Sequence, residues 1–203
     1  MIIGIDFDNT IILYDKVFYN IALELRFIEK NISPIKFLIR EKVRSLPDGE
    51  MKWRKLQTIV YGKNIQYGEV APGFLDFIKK CRQKKNKVFI ISHKTSYAQL
   101  EGKHIDLHFP ALCWLQENNF FDILGFKRTE IFFLETREEK LKYIKKLNCD
   151  VFIDDLVEVF LESEFPKNTL KILYNPHKLS YPTKPEDVVE VNHFKDVEQI
   201  LLD

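Results

Sequence analysis

Short, continuous runs of apolar residues recur along the chain, at Ile2 to Phe7, Val88 to Ser92, Ile131 to Leu134, Val151 to Ile153 and Leu170 to Tyr174. None alternates apolar with polar positions, so each predicts a strand covered on both faces. Helical patterns separate most of them, which predicts parallel strands joined by right-handed crossovers. The expected class is α/β with a mainly parallel sheet. In such sheets ligands sit beyond the carboxyl ends of the strands.

The first crossover, from Thr10 to Val88, is too long for a single helix. Val17, Ile21 and Leu25 recur every fourth residue and predict one apolar stripe. Ser33-Pro34 predicts the opening of a second helix, with a capping residue ahead of proline at the first helical position. A third helix is expected from about Asp48 to Val60, stopping before Gly62, and Ala71-Pro72-Gly73 starts the helix that returns to the sheet. Residues 14–70 therefore read as a helical insertion, and 1–13 with 71–203 as the α/β core. No internal repeat or low-complexity segment interrupts this pattern.

Composition narrows the class further. The 203 residues are 45% hydrophobic and 30% charged, enough apolar material for a full core without metal or disulfide staples. A formal net charge of +1 gives no global field for nucleic acid or an acidic membrane. The basic run Lys79, Lys80, Arg82, Lys84, Lys85 and Lys87 reads as a solvated last helical turn. Phe120-Phe121, among 17 phenylalanines, reads as core. Cys81, Cys113 and Cys149 are unpaired by spacing and suit a reducing compartment. The start lacks a secretory pattern and no run approaches the ~18 apolar residues of a membrane helix, so a cytoplasmic protein with no membrane partner is expected.

Acidic residues stand where this topology would place a ligand. Asp6-Phe7-Asp8-Asn9-Thr10 follows the first run, a segment that fits a turn as well as a site. Asp154-Asp155 ends the fourth run. Adjacent acids at the mouth of a buried sheet repel one another, and a hard cation such as Mg²⁺ would relieve them. One of the two also suits the cap of the next helix. Ser92 ends the second run, where a hydroxyl can donate to a phosphate oxygen. Thr136 and Glu139 have capping-box spacing, which puts Lys140 one turn into a helix after the third run. His93 and Lys94 follow Ser92 and suit substrate contact or loop placement equally.

In this order the residues resemble the haloacid dehalogenase superfamily of phosphohydrolases. Asp-x-Asp-x-Thr stands as Asp6, Asp8 and Thr10, the strand-end hydroxyl as Ser92, the helix lysine as Lys140 and the final acids as Asp154 and Asp155. The resemblance implies a Rossmann-like three-layer sandwich with a small helical cap, and an enzyme that hydrolyses a small phosphomonoester. It implies Asp6 as the nucleophile that forms an aspartyl-phosphate and Asp8 as general acid and then base. Ser92 and Lys140 would neutralise the phosphoryl oxygens. Mg²⁺ would be held by the Asp6 carboxylate, the Asp8 backbone carbonyl and Asp155, with Asp154 behind it, although the last two can trade roles. Asp8 favours phosphate over halogen chemistry, since the dehalogenases lack the second acid. Phosphoryl transfer, as in a phosphomutase, and a non-catalytic binding module are the alternatives, with a nucleic-acid end phosphatase a lesser variant.

Overall fold

The computed structural model describes residues 1–203. Its first half runs β1 (Ile2–Ile5), β2 (Ile12–Leu13), α1 (Asp15–Glu24), α2 (Lys36–Arg44), α3 (Gly49–Tyr61), β3 (Glu69–Val70), α4 (Phe74–Gln83) and β4 (Lys87–His93). The second half runs β5 (Tyr97–Leu100), β6 (Lys103–Asp106), α5 (His108–Glu117), β7 (Ile131–Leu134), α6 (Arg137–Lys146), β8 (Val151–Asp154), α7 (Val157–Phe160), β9 (Leu170–Tyr174), β10 (Val188–Val191) and α8 (Phe194–Leu202). No helix is long and apolar enough to cross a membrane.

The chain divides into two compact units. Unit 1 holds residues 1–12, 70–94 and 119–203. Its six-stranded sheet has the order β10-β9-β8-β1-β4-β7, with every neighbouring pair parallel. Ile3 of β1 lies between Val88 of β4 and Val151 of β8. One face carries Ile91, Phe152 and Leu173 against Leu141 and Ile144 of α6 and Val157 and Phe160 of α7. Side chains alternate along a strand, so Tyr174, next to Leu173, points to the other face and packs on Phe194 of α8 at 5.1 Å. Phe194 also meets Phe74 and Phe77 of α4, which completes the third layer. The α/β three-layer arrangement is as the apolar runs predict. They miss β10, a short edge strand in which Glu190 interrupts the valines.

Gly4, in the middle of β1, has a packing reason. A Cβ there would stand 2.7 Å from the Phe152 ring and 3.1 Å from the Cys149 sulfur, so only glycine lets this ring lie across the sheet.

Unit 2 holds residues 13–69 and 95–118. Phe18 of α1 stacks on Trp53 of α3 at 5.0 Å and meets Tyr61 edge-on. The buried residues of α1 are Val17, Phe18 and Ala22, so the stripe turns away from Ile21 and Leu25. The second helix begins at Lys36 rather than beside Ser33-Pro34, because the Asp15 carboxylate accepts the Lys36 backbone N–H at 2.7 Å. Residues 95–118, read with the core from sequence, cluster here instead. They form the β5–β6 hairpin and α5, which buries Ala111, Trp114 and Leu115. The Trp114 indole N–H donates to the Gly68 carbonyl at 3.0 Å, and Lys55 pairs with Glu101 of the hairpin turn at 2.8 Å.

Candidate active site

Four elements of unit 1 bring the candidate residues to the carboxyl edge of the sheet. Asp6 follows β1 and is pinned by its N–H, which donates to the Ile153 carbonyl at 2.8 Å. The chain then closes a tight loop, in which Ile11 and Ile12 both donate to the Phe7 carbonyl and Asn9 adopts a left-handed φ of 62°. Asn tolerates that conformation at little cost. Ser92 lies in β4 and Asp154 ends β8. Thr136 caps α6 by accepting the Glu139 N–H at 3.1 Å, and the Glu139 carboxylate takes the Glu135 N–H. That cap fixes where α6 starts and hence where Lys140 points.

Lys140 joins the acids. Its ammonium donates to Asp6 Oδ1 and Asp154 Oδ2, both at 2.6 Å, and the Ser92 hydroxyl donates to Asp6 Oδ1 at 2.9 Å. The second Asp154 oxygen accepts the Leu156 N–H at 3.0 Å, so Asp154 serves both the site and the turn before α7. Carboxylate oxygens of Asp6, Asp154 and Asp155 lie within 4.8 Å of one another. Asp8 is held from a different side, its two oxygens 3.1 and 3.0 Å from the Lys94 ammonium. Thr10 is fully buried and its hydroxyl has no partner.

The charged residues buried in this protein are Asp6, Lys94, Lys140 and Asp154, all in this cluster. Burial pushes the Asp6 carboxyl up to about 7 and Asp154 and Asp8 add to the rise, against the opposing pull of Lys140. Burial works against the Lys140 charge, but Asp154 and Asp6 overcome it and hold the amine above its usual range. The two shifts conflict, Asp6 away from its charged form and Lys140 towards it, and with two carboxylates on one ammonium the proton stays on Lys140. His93 is pushed down by burial and by the Lys140 and Arg137 charges.

The donor set fits a hard divalent cation. Asp6, Asp8, Asp154 and Asp155 against Lys94 and Lys140 leave two formal negative charges, the amount one such ion cancels. The clustered donors are carboxylate oxygens, which Mg²⁺ prefers.

Comparison with solved structures shows the same architecture. A subfamily IA HAD-superfamily hydrolase from Geobacter sulfurreducens superposes with a TM-score of 0.58 at 13% identity, over 98% of this chain and 95% of its own. The chain has the haloacid dehalogenase fold. A HAD-superfamily hydrolase from Ehrlichia chaffeensis (TM-score 0.53, 13% identity, 98% and 94% covered) shares it. So does the HAD-hydrolase YfnB from Bacillus subtilis, solved bound to magnesium (TM-score 0.52, 13% identity, 100% and 98% covered). By sequence, no family model and no curated protein matches the chain.

Within this haloacid dehalogenase fold the contact that sequence reasoning left undecided is Lys94 on Asp8. A signal was present, because Ser92–Asp6 and Lys94–Asp8 are both separated by 86 residues. Two residues on along parallel strands bring the chain back to the same face. In unit 2, charged and imidazole side chains pair with near neighbours. His104 lies on β6 against Gln99 and His108 opens α5. Arg40 pairs with Glu41, while Arg44 and Arg54 pair with Glu50.

Proposed function

We propose that this protein is a Mg²⁺-dependent phosphatase that cleaves a small phosphomonoester through an aspartyl-phosphate on Asp6. The observation that carries the reading is the Lys140 ammonium bridging Asp6 and Asp154, beside the three-carboxylate cluster. A lone structural ion pair would not require the third acid.

An Asp6 carboxylate oxygen attacks phosphorus, forming the Asp6 O–P bond as the bond to the leaving oxygen breaks. Asp8 gives its proton to the departing alkoxide. A water then attacks the phosphoryl group, Asp8 takes the water's proton and the Asp6 O–P bond breaks, releasing inorganic phosphate. The Ser92 hydroxyl and Lys140 ammonium, which touch Asp6, stand next to where a phosphoryl group on it would lie and would donate to its oxygens. Asp6, Asp155 and the Asp8 carbonyl would hold Mg²⁺, with Asp154 orienting Lys140. The bound cation would supply neutralisation of phosphate charge. The same reading takes the helical insertion of residues 14–70 as the cap.

The test is release of inorganic phosphate from a panel of phosphorylated metabolites with Mg²⁺ present. Turnover that disappears in Asp6→Asn supports the reading, and full turnover in that variant overturns it. Transfer of phosphate to a second hydroxyl, with no free phosphate, would replace hydrolysis with phosphoryl transfer on the same residues.

A further inference from the structure

Lys94 is one of the two lysines the protein buries, with 3% of its surface exposed, yet it is not part of the Asp6–Lys140–Asp154 bridge. A lysine that ends a strand keeps its ammonium in water at no cost, and withdrawing it requires a specific partner. Here the backbone is fixed first, since the Lys94 N–H donates to the Leu134 carbonyl at 2.8 Å. The side chain then runs past the Phe7 ring, its nitrogen 5.7 Å from the ring centroid. It ends on both oxygens of Asp8, at 3.1 and 3.0 Å. Contact with both oxygens anchors the Asp8 carboxyl group to the end of β4. Backbone bonds around Phe7 and Asn9 fix the main chain of the Asp8 loop.

We infer that Lys94 is a positioning residue that holds the Asp8 carboxyl in place for proton transfer to the leaving oxygen. This rests on the phosphatase reading above and deepens it. A site that anchors its proton donor on a buried lysine is built for substrates whose leaving group must be protonated. Those are phosphate esters of aliphatic alcohols, such as sugar or polyol phosphates. Aryl and other activated phosphates, whose leaving groups depart as stable anions, gain little from it.

The experiment compares kcat/KM for an alkyl phosphate (glycerol 3-phosphate) and p-nitrophenyl phosphate, in the Mg²⁺-loaded full chain, for wild type, Lys94→Met, Lys94→Arg and Asp8→Asn. The ratio kcat/KM covers steps up to leaving-group departure, so it isolates protonation from the later hydrolysis that both substrates share. Lys94→Met is expected to lose on the order of 100-fold more on the alkyl than on the aryl ester, the scale of a misplaced catalytic group. Asp8→Asn is expected to show the same discrimination, and Lys94→Arg, which can also contact both oxygens, to recover part of it. A fold defect lowers both substrates alike, so the ratio is insensitive to it. Equal losses on the two esters in Lys94→Met, with discrimination in Asp8→Asn, overturn this inference alone. Absence of discrimination in Asp8→Asn overturns the acid role of Asp8 and this inference with it.

Discussion

At the scale of single residues, the chemistry turns on charges that are expensive to bury. Lys140 separates Asp6 from Asp154, and without it two carboxylates would face each other inside the protein. Lys140→Met is expected to destabilise the protein by about 3 kcal/mol in metal-free buffer, as when one partner of a buried pair is removed. Under the proposed function, phosphate release is expected to slow on the order of 100-fold or more, the usual effect of losing a charge-stabilising donor. Saturating Mg²⁺ should restore much of the melting temperature and little of the rate. Equal recovery of both would place Lys140 in the fold alone. The cysteines report burial more simply. Burial pushes the Cys81 and Cys149 thiols up to about 12, so at pH 8 roughly one in ten thousand is a thiolate. Cys113 is only partly buried. One fast thiol is expected on titration with a disulfide reagent at pH 8, and three after unfolding in guanidinium. Raising the pH speeds labelling of the buried pair, because deprotonation is what they lack.

At the scale of elements, each strand or helix end delivers one functional group, so local capping reaches the chemistry. Thr136→Ala removes the acceptor of the Glu139 N–H and should cost about 1 kcal/mol. Fraying of the first turn of α6 moves Lys140, so kcat should drop more than KM rises, while Thr136→Ser keeps both. A loss of stability with unchanged kcat would uncouple the cap from the site. The same elements show what could be read from the chain. Asp6, Asp154 and the Thr136 cap were legible because each depends on neighbours in sequence and on a strand ending. The start of α2 was not, because its acceptor is Asp15, 21 residues upstream and on another helix. The membership of α5 was not, because it depends on Trp114 reaching Gly68 across 46 residues. The Lys94–Asp8 pair lies between these cases, since strand periodicity brings it together but only the folded sheet shows which atoms touch.

At the scale of the molecule, the acid cluster exists only when the sheet has formed. Asp6 and Asp154 come together from segments 148 residues apart through β1 and β8. A cation that binds the folded state and not the unfolded one adds stability, about 2.7 kcal/mol at a hundredfold excess over its dissociation constant. Mg²⁺ is therefore expected to raise the melting temperature by several degrees, and Asp155→Asn to abolish most of that rise. A shift that persists in full in Asp155→Asn would put the ion elsewhere. The central position of β1 has another consequence, for biosynthesis. Of the strands in this sheet the ribosome releases β1 first, but Val88, the partner of Ile3, follows 85 residues later and Val151 only after 148. Until then both rims of an apolar ribbon stand open to any passing chain. A nascent polypeptide stalled before β8 should thus depend on chaperones and precipitate readily, while the finished protein remains dispersed.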